Sequence, residues 1–206
     1  MSVRHNEKYL ETGRARQKSR TREELVSVLR GLLKDGQDPS VAEVATIAGI
    51  SRTTAYRYFP DKEALLHAAL PETGLGSLLG EDPPSDVRAR LTQTLDAHFQ
   101  FIRTWDPQLR AALRLSLTPG AARPTLRGGR AVGWYREALS PLEAAGSGID
   151  VAGLAVRLRA VAGIEPYVWL RDVAGLAQRE AFDVMRANAL DILDAALERA
   201  SGVPEK

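Results

Sequence analysis

Arg52, Thr53, Thr54, Tyr56 and Arg57 lie close together in the stretch Ser40 to Phe59, which reads SVAEVATIAGISRTTAYRYF. These side-chain types suit a nucleic-acid duplex. An arginine fork donates to guanine O6 and N7 together, worth about 1–3 kcal/mol of discrimination where the contact is made. Threonine hydroxyls donate to bases or phosphates, and their methyl groups meet thymine. Such groups work only if they are presented together, and the apolar spacing around them supplies a frame. Val41, Val44, Ala45 and Ala48 recur at helical spacing. Gly49 follows, where a turn needs a left-handed backbone. Ile50 returns to the core, and Ser51 is a good N-cap for a second helix. That helix buries Ala55, Tyr58 and Phe59 and leaves Arg52, Thr53, Thr54, Tyr56 and Arg57 partly or wholly outside. The pattern predicts a helix-turn-helix whose second helix enters a major groove. A plain helical hairpin with a solvated polar face is the alternative, and the joint placement of these groups on one face argues against it.

The flanks extend the pattern. Thr21 to Asp35 reads as a helix with Leu25, Val28, Leu29 and Leu32 on one face. After Phe59, Pro60-Asp61-Lys62-Glu63-Ala64-Leu65-Leu66 reads as a helix start capped by Asp61. The string AGISRTTAYRYFPDKEALL resembles the DNA-binding head of the TetR family of bacterial transcriptional regulators. Its specific part is the run Tyr-x-x-Phe-x-x-Lys-Glu-x-Leu, carried by Tyr56, Phe59, Lys62, Glu63 and Leu65. The resemblance covers about residues 21–70, and the remainder agrees only in helical pattern and length. It implies that Tyr56 and Lys62 contact phosphates. Ser40, capping the first motif helix, sits where backbone amides can also meet a phosphate. The expected DNA-binding set is therefore Ser40, Ser51, Arg52, Thr53, Thr54, Tyr56, Arg57 and Lys62.

Composition bounds the rest. At 206 residues, 44% hydrophobic and 26% charged, the chain has the make-up of a soluble globular protein. No apolar run approaches a membrane span, since VAGLAVRLRAVAG is interrupted by Arg157 and Arg159. The N-terminus lacks the apolar segment of a secretory signal, and there is no cysteine, so the expected compartment is a cytoplasm. His5, His67 and His98 are scattered without metal-ligand spacing, so no metal or other cofactor is expected. Residues 1–22 hold seven Arg and Lys against two Glu, a local charge of +5, which leaves the rest at −3 for a total of +2. A basic arm on a nearly neutral body attracts phosphate at one end only.

Three segments are expected: a flexible basic arm over 1–20, the head over 21–70, and a helical effector-binding and dimerisation domain over 71–206. The fold class is all-α, because no stretch alternates apolar and polar residues long enough for a strand. Pro71 to Asp86 is rich in Gly and Pro and reads as loop, with one turn at Leu75 to Leu79. Ser85 then caps a long helix bearing Val87, Leu91, Leu95, His98 or Phe99, Ile102 and Trp105, and Pro107 begins another to about Leu117. Arg127 to Ala144, Asp150 to Asp172 and Gln178 to Ser201 complete the helices, with a proline kink expected at Pro166. Glu165 beside that kink reads as a pocket carboxylate or, preferably, an exposed charge.

The last two helices, about 150–172 and 178–201, have broad apolar faces with small residues, which a second copy would cover in a four-helix bundle. Dimerisation there is also what the resemblance implies, as is a small-molecule effector. His98, Phe99, Ile102, Trp105, Trp134, Tyr135, Tyr167 and Trp169 are the candidate effector contacts. Each taken singly suits plain core packing as well.

The function expected is a dimeric repressor on a palindromic double-stranded DNA operator, released by a small-molecule ligand. A ligand-independent architectural or nucleoid-associated DNA binder is the alternative. No nucleophile–base arrangement, glycine-rich phosphate loop or paired carboxylates speak for an enzyme.

Overall fold

The computed structural model describes residues 3–70, 76–117 and 130–202, with side chains described from Arg16 onward and, in the last stretch, from Ala131. Every regular element among them is a helix: α1 Val3–Lys34, α2 Val41–Ile47, α3 Arg52–Tyr58, α4 Lys62–Ala69, α5 Val87–Ser116, α6 Arg130–Ala138, α7 Ser140–Ala144, α8 Val151–Val161, α9 Ile164–Asp172 and α10 Gln178–Ala200. They gather into two compact units. One is Met1–Glu72 with Pro107–Leu115, and the other is Thr73–Asp106 with Ser116–Lys206.

In the first unit, α1 packs on α2 and α4, and α2 on α3. The core comprises Leu25, Val26, Leu29 and Leu33 of α1, Val41, Val44 and Ala45 of α2, Ala55 and Phe59 around α3, Leu65, Leu66 and Ala69 of α4, and Ala111 of α5. Val28 and Leu32, expected on the same stripe of α1, are only partly buried. The helix also starts at Val3, where the lack of apolar periodicity predicts a loose arm through Arg20. Residues 7–22 hold no proline and abound in Glu, Lys, Arg and Gln, so helix propensity extends α1 without a buried stripe.

The second unit packs α6 on α8, and α10 on α8 and α9. Leu91, Leu95, Leu139, Leu158, Met185 and Leu193 are fully buried in it. Buried Arg90 donates to the carbonyls of Ala138 (3.1 Å) and Glu137 (3.0 Å), so a cation closes the C-terminal end of α6.

Three boundaries differ from the sequence expectation. Asp86, not Ser85, caps α5, its Oδ1 accepting from the Ala89 amide at 2.8 Å. The run Arg127–Ala144 is two helices, Arg130–Ala138 and Ser140–Ala144, with Pro141 in the first turn of the second; residues 118–129 lie outside the described ones. The segment 150–172 is likewise two helices, because Ala162 leaves the helical region (φ −125°, ψ 25°) and Gly163 is extended. Pro166 is therefore not a kink inside a helix. It is the third residue of α9, where its missing N–H has no intrahelical acceptor to lose. The turn expected at Leu75–Leu79 falls partly outside the described residues, and 76–86 is irregular.

Candidate nucleic-acid interface

The turn between α2 and α3 is set by Gly49. It takes φ +66°, and the amides of Gly49 and Ile50 return to the Thr46 and Ala45 carbonyls at 3.2 and 2.9 Å. This double closure satisfies the last carbonyls of α2 and turns the chain toward α3. Ser51 caps α3, its Oγ accepting from the Thr54 amide at 3.2 Å and donating to Thr54 Oγ1 at 2.8 Å. Asp61 caps α4 by accepting from the Ala64 amide at 2.7 Å.

With both ends fixed, α3 has two sides. Ala55 is buried without exposure and Phe59 follows at its end, while Arg52, Thr53, Tyr56 and Arg57 are exposed. Positions 52 and 56, and 53 and 57, are one turn apart, so these four side chains form one continuous stripe. The Arg57 guanidinium rests 5.7 Å from the centroid of Tyr58, which is half-buried rather than fully buried. Arg22 of α1 lies 5.6 Å over the ring of Phe59. The outward stripe holds two cations, a hydroxyl and a phenol, which together can address base edges and phosphates.

The remaining expected contacts are engaged within the head. Ser51 and Thr54 bond each other. The Ser40 hydroxyl and amide both donate to Glu43 Oε2 at 2.7 Å, and the Glu43 amide donates back to Ser40 Oγ at 3.3 Å. That capping box holds the Glu43 carboxyl below its ordinary value, first through the Ser40 amide and then through its hydroxyl. A carboxylate thus occupies the N-terminal end of α2. Lys62 Nζ lies 2.6 Å from Asp38 Oδ1 and also donates to the Asp38 carbonyl at 3.2 Å. Asp38 was not legible as a partner of Lys62, because nothing in the spacing brings the loop before α2 to the start of α4.

Residues 37–69 match the family model described as bacterial regulatory proteins, tetR family. That match covers α2, α3 and α4, the helix-turn-helix and the helix that follows it. Solved structures similar to it include full-length TylP, a TetR regulator from Streptomyces fradiae, at 22% identity over 87% of this chain and 90% of that one, with a TM-score of 0.55. A SmeT–triclosan complex is similar at 18% identity over 87% and 90%, with a TM-score of 0.54. No curated protein matches by sequence. At these identities the structures speak to the fold alone: a helix-turn-helix head followed by a helical C-terminal domain.

The aromatic residues of the C-terminal domain fall into two groups. In the first, buried His98 shares a 2.8 Å hydrogen bond with Tyr135 through its Nδ1 and stands edge-on to Trp134, with centroids 5.5 Å apart. Phe101 completes this group at 6.1 Å from Trp134. Burial pushes the His98 imidazole down to about 3, with a smaller push from Arg159, and pushes the Tyr135 phenol well up. In the second group Phe182 stacks between Phe99 at 4.8 Å and Tyr167 at 5.0 Å. Ile102 is buried and Trp105 half-buried, whereas Trp169 is 56% exposed and belongs to neither group. Phe101 and Phe182 are additions to the expected set. Phe182 was legible only as an apolar residue of the last helix. Glu165 is exposed and pairs with Arg159 at 3.0 and 3.4 Å. Among the described residues no group of three His, Asp or Glu is placed to hold a metal ion, and no helix is long and apolar enough to cross a membrane.

Proposed function

We propose that this chain is a dimeric repressor of the TetR type that reads a palindromic operator with α3 and leaves it when a small molecule binds its C-terminal domain. The observation that carries the reading is the exposed stripe Arg52, Thr53, Tyr56 and Arg57 on a helix whose opposite side is buried. Arg52 and Arg57 read guanine edges, Thr53 touches bases or phosphates, and Tyr56 and Lys62 hold the backbone. Ser40, Ser51 and Thr54 act through the caps that fix the two motif helices. The basic residues at the start of α1 add phosphate attraction.

The effector is an apolar, largely aromatic molecule lodged among His98, Phe99, Ile102, Trp134, Tyr135 and Tyr167. The buried His98–Tyr135 pair supports this, since it offers polar atoms within an aromatic surround. Trp105 leaves the helical region inside α5 (φ −115°, ψ 17°), and Trp169 faces outward. Dimerisation through α8 to α10 is supported by exposed apolar side chains, Val156 on α8, Trp169 and Val173 on and just after α9, and Val184 on α10.

Selection of bound DNA from a random pool tests the reading. The expected product is a palindrome with half-sites about one helical turn apart or slightly more. Arg57→Ala then relaxes preference at one base position, whereas Lys62→Ala weakens all sequences alike and lowers the salt slope by about one. Enrichment of no sequence would point instead to an architectural binder. Full affinity in both variants would remove this face from the reading.

A further inference from the structure

One carboxylate in the head is shared by two cations from distant parts of the chain. Asp38 Oδ1 lies 2.6 Å from Lys62 Nζ and 2.5 Å from Arg114 Nη2. The Asp38, Lys62 and Arg114 side chains are 43, 32 and 60% exposed, so the cluster stands at the surface where it can exchange partners. Lys62 opens α4, and Arg114 comes from the Pro107–Leu115 piece that belongs to the same compact unit.

We infer that Arg114 is a positioning residue for DNA binding: by holding Asp38, it leaves the Lys62 ammonium available to a phosphate. The inference rests on the reading of Lys62 as a backbone contact. An ion pair between Asp38 and Lys62 alone is neutral, and a lysine that turns to a phosphate would leave the carboxylate without a cation, facing an anionic duplex. With Arg114 on the same oxygen, Asp38 faces two cations, and Glu43 also lies near enough to act on Lys62. Asp38 then keeps a partner while Lys62 changes its own. Along α5, Arg114 comes after the non-helical Trp105 and after Pro107.

The test uses the full-length chain, a duplex selected by this protein from a random pool, and an unrelated duplex of the same length. Dissociation constants are measured by fluorescence anisotropy over a range of salt concentrations for Arg114→Gln, Asp38→Asn, their combination and Lys62→Ala. Thermal melts show which variants are folded. Arg114→Gln is expected to weaken both duplexes about two- to fivefold at low salt, the scale of an exposed ion pair. Combined with Asp38→Asn, the same change should cost little, because the Asp38 carboxylate no longer competes for Lys62. An equal loss with and without Asp38→Asn overturns the proposal, since Arg114 would then act on the duplex by itself. No loss from Arg114→Gln overturns it too. If Arg114→Gln does not fold, Asp38→Asn decides alone: tighter binding with an unchanged or steeper salt slope supports the proposal, and weaker binding overturns it. Lys62→Ala with unaltered affinity and salt slope removes the backbone-contact reading itself. Lys62→Ala that weakens binding while Arg114→Gln does nothing removes only the role of Arg114.

Discussion

His98 shows how one buried side chain can give the fold a pH dependence. Burial holds its imidazole neutral, with the pKa lowered from 6.5 to about 3. A base whose folded pKa lies below its unfolded value takes up a proton on unfolding. The protein therefore has this group's full stability above about pH 6.5 and loses it progressively as pH falls toward 3. Between pH 7.5 and pH 5 the loss is about 2 kcal/mol from His98 alone. The carboxylate of Glu43 contributes with the same sign but below its ordinary 4.5, so pH 5 keeps the two effects largely apart. Chemical denaturation at both pH values should show this drop in the wild type and a flatter response in His98→Phe. A wild type with equal stability at the two values would contradict the burial argument. Thr94, one turn before His98 on α5, is the opposite case. Its Oγ1 is buried with no hydrogen-bond partner, a cost without a return. Thr94→Val keeps the shape and removes the hydroxyl, so unfolding free energy should rise by about 1 kcal/mol. A fall in stability would mean that the hydroxyl has a partner after all.

At the scale of elements, the head is fixed by a few backbone decisions. Gly49 takes φ +66° with no atom near an added Cβ. Gly49→Ala therefore costs only left-handed strain, about 1–2 kcal/mol, and the melting temperature should fall while specific DNA binding persists. Loss of binding in a folded variant would show instead that the backbone itself touches DNA there. The motif was readable because local signals agree: apolar spacing in α2 and α3, a glycine at the turn, and Ser51 and Asp61 as caps. Elsewhere the same signals mislead. Pro166 reads as a kink, yet the break lies earlier at Ala162–Gly163, where the Arg159 guanidinium occupies the space a Cβ at Gly163 would need. Periodicity cannot register such a long side chain folded over the backbone. Nor could it place Asp38 against Lys62 and Arg114, or Phe182 between Phe99 and Tyr167, because those meetings join residues far apart in sequence. The beginning of α1 was missed for another reason, since propensity without an apolar stripe leaves no period to find.

For the whole molecule, the proposed DNA binding turns on the number of heads that engage one duplex. A single seven-residue reading helix covers few base pairs, so a lone chain has limited affinity, and joining two heads makes the second contact intramolecular. The surface proposed to join them is apolar and displayed at one-turn intervals: Trp169 and Val173 on and just beyond α9, with Val156 on α8 and Val184 on α10. Val173 is 70% exposed in the single chain, and fully burying such a side chain contributes about 1.5–3 kcal/mol. Replacing it on both copies places two carboxylates in that apolar contact, so Val173→Glu should shift sedimentation from dimer to monomer at micromolar concentration. The folded monomer keeps its α3 stripe, so affinity for a single half-site should persist while the advantage of the palindrome disappears. Arg57→Ala should give the complementary pattern, an intact dimer with relaxed base preference. A Val173→Glu protein that stays dimeric and holds the palindrome as tightly as before would move the interface off α9. A monomer that still discriminates the palindrome would mean that the two heads act independently.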